Sequence, residues 1–220
     1  MSYITIEGPI GAGKTTLAML LAERIGAKLL LEEYEENPFL AEFYADRKRY
    51  AFQTQLFFLL SRFRQQQALL QTDLFYENVI SDYLFAKDRM FASINLGEDE
   101  LSLYDEVERT LGRAIPDPDV VIYLQGSVPK LMEAIHERGR TFEEQISSEY
   151  LSEVVQTYND YFFHYRASRL IVIDTDQMDF RMYPDMVSPI LEAIYRNPAP
   201  PVEYLATPRD VPMFFGESGA

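Results

Sequence analysis

A glycine-rich segment near the start of the chain combines residue types that bind phosphate. Residues 8–15 read GPIGAGKT and match the pattern G-x-x-x-x-G-K-[ST], directly after an apolar strand-like run and before a helical pattern. Glycines let such a loop curl until its backbone N–H groups face phosphate oxygens, and the N-terminus of the next helix adds a positive dipole. An accidental glycine turn is the alternative. The flanking strand and helix favour nucleotide binding.

The residues of this phosphate-binding loop have distinct expected roles. Lys14 is a catalytic cation that reaches the β- and γ-phosphates, and Thr15 supplies a hydroxyl ligand for Mg²⁺. We predict that ATP is bound by Gly8, Gly11, Ala12, Gly13, Lys14, Thr15 and Thr16.

Two acidic residues lie next to predicted strand ends and are candidates for the chemistry beside the phosphates. Glu33 comes just after the second strand and Asp82 ends the third, so both fall where doubly wound sheets bind their ligands. Two carboxylates beside a triphosphate indicate a catalytic base and a metal ligand. Because the chain has 35 acidic residues, an exposed loop acid is the alternative for each.

A pair of arginines, Arg138 and Arg140, follows the helix after the fourth predicted strand. A planar, permanently charged guanidinium matches phosphate oxygens and neutralises charge that develops during phosphoryl transfer. Basic residues also stabilise helix C-termini, which is the alternative explanation. We predict that both arginines are catalytic and belong to a lid at about 138–147.

Short apolar runs alternate with longer helical patterns along the chain. Strands are predicted at 3–7, 28–32, 78–82, 119–125 and 170–174, and helices at 14–25, 38–44, 48–72, 83–94, 99–112, 128–138, 148–167 and 183–196. This order predicts an α/β, three-layer P-loop NTPase fold with a five-stranded parallel sheet flanked by helices. We expect one domain over 1–196 and a proline-rich tail, extended or mobile, over 197–220.

Charge and composition disfavour several kinds of partner. The chain has 20 basic and 35 acidic residues, a net charge of −15, which repels polyanions and anionic membranes. It has no cysteine and only two histidines, so thiolate chemistry is excluded and a histidine-built metal site is disfavoured. Without a signal-like N-terminus or a long apolar run, we expect a soluble cytoplasmic protein with no nucleic-acid or membrane partner.

The predicted helix at 48–72 is apolar around much of its circumference. Phe52, Leu56, Leu59 and Phe63 form one face, and Phe57 with Leu60 extends it. Such a helix is buried or pairs with a second subunit, since an exposed aromatic surface of this size would be unusual for a monomer. We therefore predict a homodimer built on long helices.

In their order along the chain, segments 8–16, 52–62, 82–89 and 138–144, together with Glu33, resemble the deoxynucleoside kinase family. The resemblance extends over about residues 3–192. It implies an enzyme that transfers the γ-phosphate of ATP to the 5′-hydroxyl of a deoxynucleoside. It also implies that Glu33 deprotonates this hydroxyl, with Glu32 as the alternative, and that Mg²⁺ lies between Thr15 and Asp82.

The same resemblance implies a pocket for the sugar and base. Tyr44, Gln55 and Arg62 have the family's spacings of eleven and seven positions, and imply a tyrosine at the 3′-hydroxyl and an amide and a guanidinium at the base. Gln53 competes with Gln55 for the amide role. Asp88 resembles a base-facing aspartate beside that arginine, whereas a solvated helix charge is the alternative.

Further positions carry ligands by resemblance alone. Glu143 resembles a lid acid that reaches the sugar, and Asp179 with Phe180 resembles the segment that lies against the adenine of ATP. Arg62 and Asp88 together offer donors and acceptors to a base edge with an exocyclic amine, which thymine lacks. We therefore predict a purine deoxynucleoside, deoxyadenosine first and deoxyguanosine second, with deoxycytidine as a possible further substrate and thymidine as a poor one.

The sequence departs from the family pattern at two positions. Tyr83 follows Asp82 where relatives usually have an arginine, so the role of that arginine falls to another residue, with Arg89 as a candidate, or is missing. Ala134 stands where relatives often have a further lid arginine. Two other interpretations remain open: a thymidylate-type nucleoside monophosphate kinase, and a catalytically silent nucleotide-binding subunit.

Overall fold

The structure is a computed structural model that describes residues 2–72, 77–113, 115–177, 180 and 186–205, for 68–72 the backbone only. Its strands are β1 (Ser2–Glu7), β2 (Lys28–Leu30), β3 (Asn78–Ser81), β4 (Val120–Gln125), β5 (Arg169–Asp174) and β6 (Val202–Leu205). Its helices are α1 (Lys14–Ile25), α2 (Leu40–Ala45), α3 (Arg47–Thr72), α4 (Lys87–Asn95), α5 (Glu98–Gly112), α6 (Val128–Arg138), α7 (Ser148–Phe163) and α8 (Val187–Tyr195). Short 3₁₀ turns occupy Tyr34–Glu36 and Thr141–Glu143.

All strands of the sheet are parallel, in the order β2-β3-β1-β4-β5-β6. The predicted parallel α/β fold with flanking helices is confirmed, but the predicted number of five strands is wrong. The sixth strand, β6, lies within segment 197–220, which we predicted to be a tail. It pairs with β5 in the register Leu170↔Val202, and Glu203 forms ion pairs with Arg169 and Arg196.

The core lies on both faces of this sheet. Ile4, Ile6, Val121 and Ile122 are fully buried, as expected for parallel strands covered by helices on each side. Burial of each such side chain stabilises the fold by about 1.5–3 kcal/mol. These strands therefore provide a rigid base from which the loops at their carboxyl ends are positioned.

A buried acid at the end of β1 fixes two of those loops. The side chain of Glu7 accepts hydrogen bonds from the backbone N–H of Gly8 at 2.8 Å and of Leu84 at 2.7 Å. The hydroxyl of Tyr158 on α7 donates a third, at 3.0 Å. A buried carboxyl needs such partners to offset its desolvation. Glu7 thereby ties the start of the phosphate-binding loop to the segment after β3.

Several element boundaries differ from the predicted ones. β2 ends at Leu30, and α4 begins at Lys87 rather than at 83 because residues after Asp82 form turns, with Lys87 N–H bonded to Leu84 O at 3.0 Å. In the part of the chain that the structure describes, no helix is long and apolar enough to cross a membrane.

Candidate active site

A cavity of about 340 Å³ opens beside the carboxyl ends of β1, β2 and β3. Its wall brings together the phosphate-binding loop, the residues after β2 and β3, one face of α3 and the predicted lid. Many of the predicted site residues lie on this wall: Gly11, Gly13, Lys14, Thr15, Thr16, Tyr44, Gln55, Arg62, Asp82, Arg138, Arg140 and Glu143. The cavity is at the position where doubly wound sheets bind their ligands.

The conformation of the phosphate-binding loop depends on its glycines. Gly11 and Gly13 have φ values of 88° and 87°, in the left-handed region that side chains with a Cβ atom rarely adopt. At Gly8 a Cβ atom would lie 2.6 Å from the carbonyl oxygen of Leu124, so a larger residue would displace the loop from β4. Gly8 and the buried Ala12 support the loop from behind, since neither lines the cavity.

The ammonium group of Lys14 lies across this loop. Its Nζ donates to the carbonyl oxygens of Gly8 at 2.7 Å and Pro9 at 3.0 Å. Burial, and then the positive charge of Lys87, lowers the pKa of Lys14 to about 8. Lys14 is therefore charged at neutral pH in a site where a further anion, such as a phosphate, would be stabilised.

A pair of oxygen donors stands next to the loop. The hydroxyl of Thr15 donates to Asp82 Oδ2 at 2.6 Å, and Asp82 Oδ1 accepts from the backbone N–H of Glu32 at 2.7 Å. Hydroxyl and carboxylate oxygens fit the hard-oxygen preference of Mg²⁺. Among the described residues, no cluster of three or more acidic, histidine or cysteine side chains forms a metal site by itself. Phosphate oxygens and water would have to complete the coordination.

Of the two neighbouring acids after β2, Glu32 lines the cavity, and Glu33, which we predicted there, does not. Glu32 lines the cavity and its side chain is 13% exposed, whereas Glu33 is exposed and does not line it. The physical reason is the hydrogen bond from the Glu32 backbone to Asp82, which fixes the turn after β2. The alternative residue, Glu32, thus takes the position that we predicted for Glu33.

Glu32 is held by two cations. Arg62 Nη2 bonds to its Oε1, and Lys87 Nζ donates to its Oε2 at 2.7 Å. Burial alone would raise the pKa of Glu32, but the charges of Arg62 and Lys87 outweigh it and hold that pKa well below its usual range. Glu32 is therefore ionised at neutral pH and accepts hydrogen bonds.

Arg62 also pairs with Asp88 at the inner end of the cavity. Its Nη1 bonds to Asp88 Oδ1, and Asp88 is fully buried behind it, outside the cavity wall. Among the described residues, Asp88 Oδ2 has no hydrogen-bond partner. The predicted pair is thus brought together, with Arg62 facing the cavity and Asp88 one layer deeper.

The structure places the two glutamines of α3 that we considered for the amide role in different surroundings. Gln55 is buried and lines the cavity, while Gln53 is exposed and its amide donates to Arg49 O on its own helix at 3.3 Å. Tyr44 also lines the cavity, and burial raises its pKa well above the usual range. Tyr44 is therefore a neutral hydroxyl in the cavity.

The residues of the predicted lid contact one another, and they also contact α2 and the turn at Tyr34–Glu36. Arg138 Nη2 donates to Glu143 Oε1 at 2.7 Å, and Arg140 Nη1 donates to the same oxygen at 3.4 Å. The ring of Phe142 stacks against Tyr44, with centroids 6.3 Å apart. Arg140 also lies 4.2 Å above the ring of Tyr34. Phosphate oxygens would have to compete with Glu143 for these guanidinium groups.

The residues expected at the adenine are described only in part. Phe180 is buried, and a Cβ atom on Gly13 would lie 3.9 Å from its Cδ2, so Phe180 lies close to the phosphate-binding loop. Phe180 does not line the cavity. Asp179 lies outside the described residues.

Sequence reasoning missed Lys87, which is on the cavity wall with its side chain 8% exposed. Arg89, the expected source of a replacement cation, instead pairs with Asp105 at 2.6 Å and is 43% exposed. Tyr83 is fully buried and does not line the cavity. The available signal was the position of Lys87 five residues after Asp82. We predicted the residues between them as helix, and the turns that they form instead set the direction of the Lys87 side chain.

Fold and site together define a P-loop phosphotransferase whose cavity extends from the phosphate-binding loop to Gln55 and Arg62 on α3. The family model for deoxynucleoside kinases matches residues 4–197, and the chain belongs to this family. It is 35% identical to a deoxyguanosine kinase of Bacillus subtilis over 185 residues, 81% of this chain and 88% of that one. It is 30% identical to a deoxyadenosine/deoxycytidine kinase of the same organism over 201 residues, 88% and 91% of the two chains.

A solved structure shows the same architecture. The deoxyadenosine kinase of M. mycoides with bound dATP superposes with a TM-score of 0.77 at 25% identity, covering 87% of this chain and 100% of that one. Family membership makes this chain a deoxynucleoside kinase, an ATP-dependent phosphotransferase.

Proposed function

We propose that this kinase transfers the γ-phosphate of ATP to the 5′-hydroxyl of a purine deoxynucleoside, with Glu32 as the catalytic base. The observation that carries this proposal is the position of Glu32. It contacts Arg62, at the end of the cavity where a base would lie, and its backbone bonds to Asp82, beside the phosphate-binding loop. A sugar hydroxyl between these two ends would be within reach of its carboxylate.

Glu32 is suited to accept the proton late in the reaction. Its lowered pKa makes it a weak base, but phosphoryl transfer passes through a loose transition state in which the acceptor needs little activation before attack. Glu32 then orients the hydroxyl by accepting its hydrogen bond and takes the proton as the new P–O bond forms. Positioning and charge provide most of the rate enhancement.

The migrating phosphoryl group is bound by cations from two sides. Lys14 approaches from the phosphate-binding loop, and Arg138 and Arg140 approach from the lid. Mg²⁺, held by Thr15 and Asp82 with phosphate oxygens, would neutralise charge on the phosphates. When ATP binds, the guanidinium groups exchange their contacts with Glu143 for contacts with phosphate, which frees Glu143 for the sugar.

The purine preference rests on the pair of Arg62 and Asp88. The guanidinium of Arg62 offers only hydrogen-bond donors, and the carboxylate of Asp88 offers only acceptors. The pair therefore suits a base edge with an amine and a ring nitrogen. Among the described residues, Oδ2 of the buried Asp88 has no hydrogen-bond partner, although a buried acceptor is normally satisfied. Because Asp88 lies behind Arg62 and outside the cavity wall, the proposal requires the Arg62 side chain to shift when the base binds. An unpaired acceptor costs about 1–3 kcal/mol, which corresponds to roughly a 5- to 150-fold penalty against thymidine. Relatives named as deoxyguanosine and deoxyadenosine kinases agree with this preference.

We also propose that the protein forms a homodimer through one face of α3. Leu60 is 42% exposed, and Phe57, three residues earlier and therefore on the same face, is half-buried. A second copy of the chain would remove these apolar side chains from water.

The test of the reaction is a comparison of acceptors. Purified protein is incubated with ATP, Mg²⁺ and either deoxyadenosine, deoxyguanosine or thymidine monophosphate, and the products are identified by mass. We expect monophosphates from the two nucleosides and no diphosphate from thymidine monophosphate. Diphosphate formation would favour the thymidylate-type alternative, and absence of every product would favour the silent subunit.

A further inference from the structure

Lys87 occupies a position that is unfavourable for a positive charge unless a negatively charged group binds it. It is the first residue of α4, where the helix dipole disfavours a cation, and its side chain is 8% exposed. Burial of an ammonium group adds a desolvation cost. Its contact with Glu32 Oε2, at 2.7 Å, offsets these costs. A buried cation that lines the cavity and bonds to the proposed base is a candidate for a role in the reaction.

The ammonium group has capacity left for a ligand. It carries three protons, and the described part of the chain gives it one hydrogen bond, to Glu32. The ring of Phe91 lies 5.8 Å from Nζ on another side. Lys14, on the phosphate-binding loop, lines the same cavity as Lys87. The cavity wall thus has one cation on the phosphate-binding loop and a second bonded to Glu32.

Neither Tyr83, which carries no positive charge, nor Arg89 supplies a cation to the cavity wall. Tyr83 is fully buried in the core, and Arg89 turns outward to Asp105. Of these three residues of the segment after β3, only Lys87 lines the cavity. An acceptor oxygen bonded to Glu32 would be in reach of Lys87 as well, because both groups share the same small space.

We propose that Lys87 is a catalytic residue that binds the phosphoryl group during its transfer. This inference rests on the proposed function. As the bond between the γ-phosphorus and the bridging oxygen of ATP breaks, ADP leaves with that oxygen. The 5′-oxygen forms the new bond, and its proton passes to Glu32. The ammonium of Lys87, which contacts Glu32, stabilises the charge on the phosphoryl oxygens from the side of the acceptor.

The experiment measures kcat and nucleoside KM for Lys87→Met in two backgrounds, the wild type and Glu32→Gln. In the wild-type background we expect kcat to fall about 10²- to 10³-fold, with a smaller change in KM. In the Glu32→Gln background we expect a further loss of at least about tenfold, because Lys87 would still contact the phosphoryl group. Lys87→Arg should recover part of the activity, since it keeps the charge.

The matched control is Arg89→Met, which removes a cation from the same helix outside the cavity and should keep kcat within about threefold. Thermal unfolding of each variant separates loss of rate from loss of fold. An unchanged kcat in Lys87→Met, or no additional loss in the Glu32→Gln background, would overturn the proposal while leaving the proposed function intact. A wild type that phosphorylates no deoxynucleoside would overturn both.

Discussion

The backbone N–H of Glu32 donates a hydrogen bond of 2.7 Å to the carboxylate of Asp82, which also accepts from the hydroxyl of Thr15 at 2.6 Å. One carboxylate thus connects the residue proposed as base with the residue proposed to hold Mg²⁺. The acceptor site and the phosphate site are therefore positioned by the same side chain. A change in Asp82 should affect both.

Replacement of Asp82 tests this connection. Asp82→Asn removes the charge but keeps an oxygen that can accept from the Glu32 backbone, so the turn after β2 should persist. We expect the Mg²⁺ concentration for half-maximal activity to rise and kcat to fall about 10-fold or more. Titration of activity with Mg²⁺ measures both effects. A wild-type Mg²⁺ dependence in Asp82→Asn would contradict the assigned metal ligand.

The choice between Glu32 and Glu33 is tested by matched amide variants. Glu32→Gln keeps the size of the side chain but removes the base, so we expect kcat to fall about 10²-fold or more with a modest change in nucleoside KM. Glu33→Gln changes an exposed acid outside the cavity and serves as the control. If the loss of kcat appears in Glu33→Gln instead, the assignment of the base to Glu32 is wrong.

The titration of Lys14 gives a prediction about pH. Its pKa is lowered to about 8 in the empty site, and bound phosphates would raise that pKa by stabilising the charged form. Because the empty site is then partly deprotonated at pH 8.5 and the occupied site is not, ATP binding should take up protons at this pH and fewer at pH 7. Calorimetry in buffers of different ionisation enthalpy measures the uptake.

Lys14→Met is the matched variant for this measurement. It removes the titrating group, so proton uptake at pH 8.5 should disappear and phosphoryl transfer should be abolished with the fold retained. Proton release on ATP binding in the wild type, or equal uptake in both proteins, would show that Lys14 does not contact the phosphates.

Parts of the fold and site were predictable because they depend on local residue types. The phosphate-binding loop needs glycines and a lysine at fixed spacing, and the buried strands have short apolar runs. β6 was missed because it has four residues after a proline-rich stretch, and only its pairing with β5 makes it a strand. Glu32 and Lys87 depend on turns fixed by long-range contacts, which spacing does not reveal.

Base choice is tested through Asp88. Its removal in Asp88→Ala leaves Arg62 with donors only, so we expect kcat/KM for deoxyadenosine and deoxyguanosine to fall more than that for thymidine. Measurement of kcat/KM for all four deoxynucleosides gives the profile. An unchanged profile in Asp88→Ala would show that the pair does not select the base.

The oligomeric state is tested at Leu60. Sedimentation velocity at micromolar concentration should show a dimer for the wild type. Leu60→Glu places a charge on the proposed apolar face of α3 and should shift the protein towards monomer. Leu103→Glu, at an exposed leucine of α5, is the control. A wild type that sediments only as monomer would contradict the dimer.

The most direct test of the proposed reaction follows a label on the γ-phosphate of ATP. Wild-type protein, Mg²⁺ and γ-labelled ATP are incubated with each of the four deoxynucleosides, and the labelled product is digested with a 5′-nucleotidase to locate the phosphate. We predict labelled 5′-monophosphates, most rapidly from deoxyadenosine and deoxyguanosine and slowest from thymidine. Label that reaches no deoxynucleoside, or that the 5′-nucleotidase does not release, would contradict transfer of the γ-phosphate to the 5′-hydroxyl.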